Sequence, residues 1–452
     1  MVIFYFIRIK KIRLAKKICH GITPLALCLW HTINGIESVW LNFSYDEQNT
    51  NDKRDGVIKM LKKSLMGGVL LVGVVFGLLI FVGQPKIEQS MNKVLTHDPF
   101  VIAPEVKAFH DTLTIMDWHS DSTLWARDLT KKSDYGHVDI PRLGQGNVAI
   151  QMFTAVTKSP KGQNYEKNTE EFDNITLLAV TQLWPLSTWN SLAQRALYQA
   201  EKLHDCAARV PDQFRVVTNQ RELTEALDLR REEKSKGQVG LVIGMLGLEG
   251  LHALDGKLEN IQVLYDAGYR MMGFHHFFDN ETGGSLHGIS REGLTEFGRQ
   301  AVKKLNELSV VIDLSHSSPA VVDDILELST RPCVVSHTGV TRAHKSPRNL
   351  SDEQMVRIVQ KGGLIAMGYW DGAVGDIGPE NIVRSLGHAV DLVGEDHVSL
   401  GSDFDGSTTM AFDTAEIAVL TQEMVRAGFS KERIAKIMGE NGVKFLMAHL
   451  PG

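Results

Sequence analysis

The chain has 452 residues, 43% hydrophobic and 23% charged, with 40 Gly and 13 Pro. That composition is ordinary for a globular protein and excludes a collagen-like chain, a wholly disordered chain and a small disulfide scaffold. A mean hydropathy of −0.09 argues against many membrane spans. Charge is uneven: residues 1–63 hold eleven Lys/Arg against five Asp/Glu, so a +6 head precedes a −12 body. A basic head on an acidic body points to a membrane-facing N-terminus and away from nucleic acid as a partner. Cys19, Cys28, Cys206 and Cys333 show no CxxC spacing, so neither a thiolate zinc site nor a disulfide framework is expected.

In chain order, residues 1–63 read as a basic cytoplasmic segment. Its start, MVIFYFIRIKKIRLAKKI, could lie on a membrane surface. The equal alternative is that translation starts at Met60, where MLKKSLMGGVLL resembles an ordinary export start. Residues 65–82, LMGGVLLVGVVFGLLIFV, carry no charge. As a helix they measure about 27 Å, close to hydrocarbon thickness. Lys59, Lys62 and Lys63 precede them, which keeps the N-terminus cytoplasmic and exports the remainder of the chain to the periplasm or cell exterior. GQPKIEQS lacks a small-x-small cleavage site, which favours an uncleaved signal anchor over 64–83. A cleaved signal and a buried core helix are the alternatives. Residues 84–110 read as a linker and lead-in helix.

From 111 to 452 the pattern changes. Short apolar runs recur at 113–118, 148–153, 240–246, 269–274, 310–314, 333–336, 363–368 and 397–401. Amphipathic stretches such as 295–308 and 351–361 lie between them. Apolar strands alternating with helices imply a parallel sheet. Eight such units fit a (β/α)8 barrel of the TIM type with a helical insertion at 158–238, helical around 177–203. A doubly wound open sheet is the alternative.

In a barrel, catalytic groups come from the carboxyl ends of strands. Six of the eight runs are followed by metal-capable residues: His119 and Asp121, Glu249, His275 and His276, His316, His337, then Asp403 and Asp405. Chance placement on solvated loops would not favour histidine so strongly. His119-x-Asp121 places two ligands on one side of a strand, and imidazole with carboxylate suits Zn2+ or a similar ion. Alone, that pair reads equally well as a satisfied surface pair. His316 and His337 are one β-α-β step apart, so adjacent strands would present them side by side. Glu249 lies in a Gly-rich turn and is either an ordinary turn residue or a carboxylate bridging two metals. Three His and two carboxylates exceed the three protein ligands of one open zinc site. They suit two ions about 3.5–4 Å apart, which can hold a hydroxide between them and polarise a carbonyl. Asp403, nearer its strand end than Asp405, could carry a proton from the attacking water to a leaving amine. Arg348 is either a carboxylate anchor or a solvated loop residue near a helix cap. GxSxG is absent, and GGSLHG does not have the context of a phosphate loop.

The stretches DWHSD, GHVDIPRL, GLEG, YRMMGFHHFFDN, GLTEFGRQ, VIDLSHSSP, VVSHTG, SPRNLSD, GSDFDG and IMGENGVKFL, in this order, resemble the membrane dipeptidase (renal dipeptidase, peptidase M19) family of the amidohydrolase superfamily, in its bacterial branch. The resemblance covers about 112–446 and says nothing of 1–110. It implies a (β/α)8 barrel with two Zn2+ ions. His119 and Asp121 would bind one ion, His316 and His337 the other, and Glu249 would bridge. His276 would contact the substrate carbonyl or tetrahedral intermediate; a second histidine at 275 departs from the mammalian pattern. Arg348 would bind the terminal carboxylate of a dipeptide, and Asp403 would transfer the proton. By analogy it also implies a homodimer. The expectation is a membrane-anchored zinc dipeptidase. The rivals are a related amidohydrolase acting on N-acyl amino acids or lactones, and an inert anchored binding barrel.

Overall fold

The computed structural model describes residues 83–452, together with Met60, Leu61, 63–68, Leu71 and Gly77. The chain divides into two units at residue 77, and the second holds the barrel. Among the described residues no helix is long and apolar enough to cross a membrane. Most of the span expected at 65–82 lies outside the described residues, as do residues 1–59.

Nine parallel strands form the main sheet. They are β1 (Ile115–Ser120), β2 (Val148–Val156), β3 (Phe214–Val216), β4 (Val242–Glu249), β5 (Tyr269–Gly273), β6 (Val311–Asp313), β7 (Val334–Thr338), β8 (Leu364–Met367) and β9 (Val398–Leu400). Eight coincide with the expected apolar runs. Their order is β2-β1-β9-β8-β7-β6-β5-β4, and β2 pairs with β4 from Ile150↔Ile243 to Val156↔Glu249, which closes the ring. β3 adds to the first residues of β4 from within the insertion. The closed parallel sheet excludes the doubly wound alternative.

Side chains alternate along each strand, as extended backbone requires. Ile115, Leu246, Met272, Val335 and Val398 pack with the surrounding helices. Met116, Met152, Met245, Met271 and Leu364 pack with one another and with Phe445 and Leu446 of the terminal helix Asn441–His449. Both strand faces are buried, which is why the strands read as continuous apolar runs.

The connecting helices begin at side-chain caps. Thr295 caps Glu296–Glu307, and Ser351 with Gln354 forms a capping box on Asp352–Gln360. The helical pattern around 177–203 is two helices, Asn174–Thr181 and Leu192–Arg209. Between them Leu183 has φ 57°, and Pro185 precedes the 3-10 turn Leu186–Trp189. Proline cannot continue a helix it interrupts. Residues 84–110 hold the helices Gln84–Met91 and Pro104–His110. Between them Lys93–Val94 pairs in parallel with Thr409–Met410.

Candidate metal centre and substrate cavity

Every candidate site residue stands at the carboxyl mouth of the ring. His119 lies in β1 with Asp121 just after it, Glu249 ends β4, and His276 follows β5. His316 follows β6, His337 lies in β7, and Asp403 follows β9. Arg348, His275 and Asp405 apart, the candidates fall into three overlapping groups of ligand atoms, each within 4.8 Å of one another: His119, His337 and Asp403; Glu249, His276 and His316; His119, Asp121 and Glu249.

Glu249 is the hub. Its Oε1 lies 3.7 Å from His119 Nε2, 3.1 Å from His316 Nε2 and 3.5 Å from His337 Nε2. Its Oε2 lies 3.5 Å from His276 Nε2. Asp121 Oδ1 lies 3.4 Å from His119 Nε2 and accepts from Thr154 Oγ1. The Nε2 atoms of His316 and His337 face each other at 3.0 Å.

The rings are held from behind. Ser336 Oγ donates to Asp313 Oδ2 at 2.6 Å and lies 3.0 Å from His119 Nδ1 and 2.8 Å from His337 Nδ1. Its one proton goes to Asp313, so it accepts from both Nδ1–H groups. With both Nδ1 atoms committed to Ser336, the Nε2 atoms of His119 and His337 point into the site. Asp117, buried in β1, receives the backbone N–H groups of His119 and Ser402 and ties β1 to the loop that carries Asp403.

The electrostatics call for a cation. Asp121, Glu249 and Asp403 are three carboxylates at one buried mouth. Burial and the Asp121 charge push the Glu249 carboxyl well above its usual range. Burial pushes the His119 imidazole down, but Asp121 and Glu249 more than reverse this, to about 10. Burial, Arg348 and His337 hold His316 well below its usual value, and burial, His119 and Arg348 do the same to His337, so both are neutral. His119 Nε2 is buried with no hydrogen-bond partner. Imidazole nitrogens, carboxylate oxygens and an orphaned ligand atom fit Zn2+ or a similar divalent ion.

Arg348 is buried rather than solvated. Its Nη2 donates to the His337 carbonyl at 2.9 Å, and its guanidinium lies 5.3 Å from the Trp370 ring centroid. The two adjacent histidines separate cleanly. His275 turns into the protein, between Ser317 Oγ and Thr282 Oγ1, each at 3.2 Å. His276 lines the cavity, with Nδ1 donating to the Lys158 carbonyl. Asp403 reaches the cavity from a left-handed residue, φ 62°, and His316 does so at φ 60°. Such backbone is rare for residues with a Cβ and concentrates at functional sites. Gly406 makes room: a Cβ there would lie 2.1 Å from Asp403 Oδ1.

The cavity has a volume of about 580 Å3. Beyond the polar cluster it extends over Leu124, Trp125, Val156, Ile175 and Leu178, and over Ile87 and Met91 of the helix Gln84–Met91. Sequence reading expected a lead-in helix within 84–110 but did not place it at the cavity, and it did not find Ser336, Asp313 or Asp117. The two aspartates left a signal, a charged residue inside an apolar strand.

A closed parallel barrel with imidazoles and carboxylates converging at its carboxyl mouth defines a metal-dependent hydrolase. The model of the membrane dipeptidase family (peptidase family M19) matches residues 104–449, and the chain belongs to that family. It is an enzyme that hydrolyses dipeptides and uses a metal to do so. An uncharacterised dipeptidase of Schizosaccharomyces pombe is 25% identical over 364 residues, covering 76% of this chain and 83% of the relative. Dipeptidase ataJ of Aspergillus terreus is 25% identical over 394 residues, covering 79% and 89%. The crystal structure of a metallopeptidase from Rhodobacter sphaeroides, liganded with a phosphinate mimic of L-Ala-D-Ala, superposes with a TM-score of 0.61 at 25% identity, covering 75% of this chain and 99% of that one.

Proposed function

We propose that the cluster holds two Zn2+ ions bridged by Glu249, with His119 and Asp121 on one and His316 and His337 on the other. One observation carries this reading: Glu249 Oε1 stands 3.1–3.7 Å from imidazole nitrogens on three different strand ends. Bound there, the ions would supply Lewis-acid activation of a water and of the scissile carbonyl.

The chain's own residues do the rest. Arg348 takes the free carboxylate of the dipeptide, already oriented by the His337 carbonyl and Trp370. Longer peptides, whose carboxylate falls elsewhere, are poor substrates. Asp403 takes the proton of the attacking water and delivers it to the leaving amine, from a position 3.9 Å from His119 Nε2. His276 contacts the reacting peptide. With Nδ1–H committed to Lys158, its free Nε2 accepts from a substrate N–H, and it donates to an oxyanion only as the imidazolium. The dipeptide mimic bound by the Rhodobacter sphaeroides relative supports a small dipeptide as substrate.

Metal analysis coupled to hydrolysis of a small dipeptide set tests this. Purified wild type should carry about two ions per chain, and chelation should abolish turnover until Zn2+ is restored. Glu249→Gln should carry one ion or fewer. A fully active enzyme with one ion, or activity indifferent to chelation, rejects the reading.

We also propose that 65–82 anchors the chain, with the barrel in the periplasm or outside the cell. Its uncharged composition and the lysines before it support this. Carbonate washing of membranes should leave the full chain in the pellet, and its release would reject the anchor.

A further inference from the structure

The helix Gln84–Met91 lies upstream of the matched residues 104–449, yet Gln84, Ile87 and Met91 line the same cavity as Glu249, His276, Arg348 and Asp403. We propose that this helix is a specificity element: Ile87 and Met91 wall an apolar subsite that receives the side chain of the dipeptide's amino-terminal residue and favours a large apolar one. The proposal rests on the dipeptidase activity and on Arg348 as the carboxylate anchor.

Three observations carry it. The first is that the helix is fixed in place. Glu88 pairs with Arg127, which pairs in turn with Asp405. Asn92 Oδ1 accepts from Ser407 N at 2.9 Å, and Leu95 N donates to Met410 O at 2.8 Å. Gln84 donates to Thr181, bridging to the facing helix Asn174–Thr181.

The second is that its apolar side chains are left open. Ile87 is 42% exposed and Met91 41%, although both line the cavity together with Leu124, Trp125, Val156 and Ile175. Those four belong, with Ala179 and Trp184, to a small apolar cluster separate from both barrel cores. A cavity of about 580 Å3 is more than two alanine residues fill, and it falls among pockets that enclose larger ligands.

The third is direction. In the closed ring β2 and β7 stand opposite each other, four steps apart either way. Val156 ends β2 and sits in register with Glu249, while Arg348 follows β7. A dipeptide held by its carboxylate at Arg348, with its peptide carbonyl at Glu249, therefore points its amino-terminal residue toward Val156 and the helix.

The test is steady-state kinetics on zinc-loaded full-length protein with Leu-Ala, Ala-Leu and Ala-Ala, comparing wild type with the double variant Ile87→Ala/Met91→Ala. A subsite that binds ground and transition states alike acts on KM. The variant should raise KM for Leu-Ala about tenfold, with kcat and the values for Ala-Leu and Ala-Ala within about twofold. Both side chains are partly exposed, so the melting temperature should barely move, and a melt reports directly whether the variant is folded. Equal losses on all three substrates would make the helix mere scaffolding and overturn the proposal. So would an unchanged KM for Leu-Ala, or a loss confined to Ala-Leu. A wild type that hydrolyses none of the three fails at the dipeptidase reading itself, before any variant is compared.

Discussion

Asp403 and Asp405 are two residues apart in one loop, share φ 62°, and have opposite surroundings. Asp405 accepts from Ser122 Oγ, Arg127 Nη2 and the backbone N–H groups of His137 and Val138. Burial alone would raise its carboxyl, but Arg127, His137 and Ser122 hold it below its usual value. Among the described residues nothing donates a hydrogen bond to the Asp403 carboxylate, which faces the cavity. Burial raises it to about 7, with Asp121 adding to the effect and His119 and Arg348 opposing it. A buried carboxylate with all its acceptors filled holds structure. One left short of partners beside a cavity is available for chemistry.

The sharpest way to break this contrast is to neutralise each carboxylate in turn. Asp403→Asn should lower kcat by about 10²–10⁴-fold while metal content stays at the wild-type level. Near-normal turnover would remove Asp403 from proton transfer. Asp405→Asn should act on stability instead, because it strips Arg127 of a buried partner. A loss of about 3 kcal/mol in urea unfolding is expected, with the folded fraction still loading metal. An unfolding midpoint matching wild type, with turnover abolished, would reverse the two roles.

The smallest effect concerns Glu88, the other partner of Arg127. One guanidinium between two carboxylates balances one charge, and Asp405, with more donors, keeps it. Burial pushes Glu88 up to about 7, against the pull of Arg127 and Lys202 and with Asp405 adding to the rise. The fold thus favours the protonated acid. Its contribution to stability is complete below about 4.5, the unfolded value, and is lost as pH rises through about 7. Glu88→Gln imitates the protonated acid and should remove this component. The wild-type midpoint should fall relative to the variant between pH 4.5 and 8. Parallel profiles would show that Glu88 is ionised throughout.

Most of the barrel could be read from the sequence because its determinants are local. A strand buried on both faces is an apolar run, and its carboxyl end is the next residue or two. His119, Glu249, His316 and His337 were therefore legible as the polar residues at the ends of those runs. The choice of Asp403 over Asp405 also came from distance to the strand end; Asp403 lines the cavity, whereas Asp405 pairs with Arg127. The hidden part depends on closure of the ring. Ser336 serves His119 from 217 positions away, and Asp405 meets Arg127 across 278. No local pattern announces such pairs. Arg348 was ambiguous because an arginine between a proline and an asparagine looks solvated; the fold of its loop against β7 and Trp370 buries it. The break between Asn174–Thr181 and Leu192–Arg209 was missed although Pro185 marked it, because the apolar spacing continues across the proline.

The short ladder between Lys93–Val94 and Thr409–Met410 stitches the upstream chain to the loop that begins at Asp403. Whatever grips the polypeptide ahead of Gln84 therefore grips the enzyme by the lip of its opening rather than by its base. Tension applied there would reach the loop bearing Asp403 before it reached any barrel strand. Trimming the chain past Leu95 would slacken that loop while leaving the ring of strands intact.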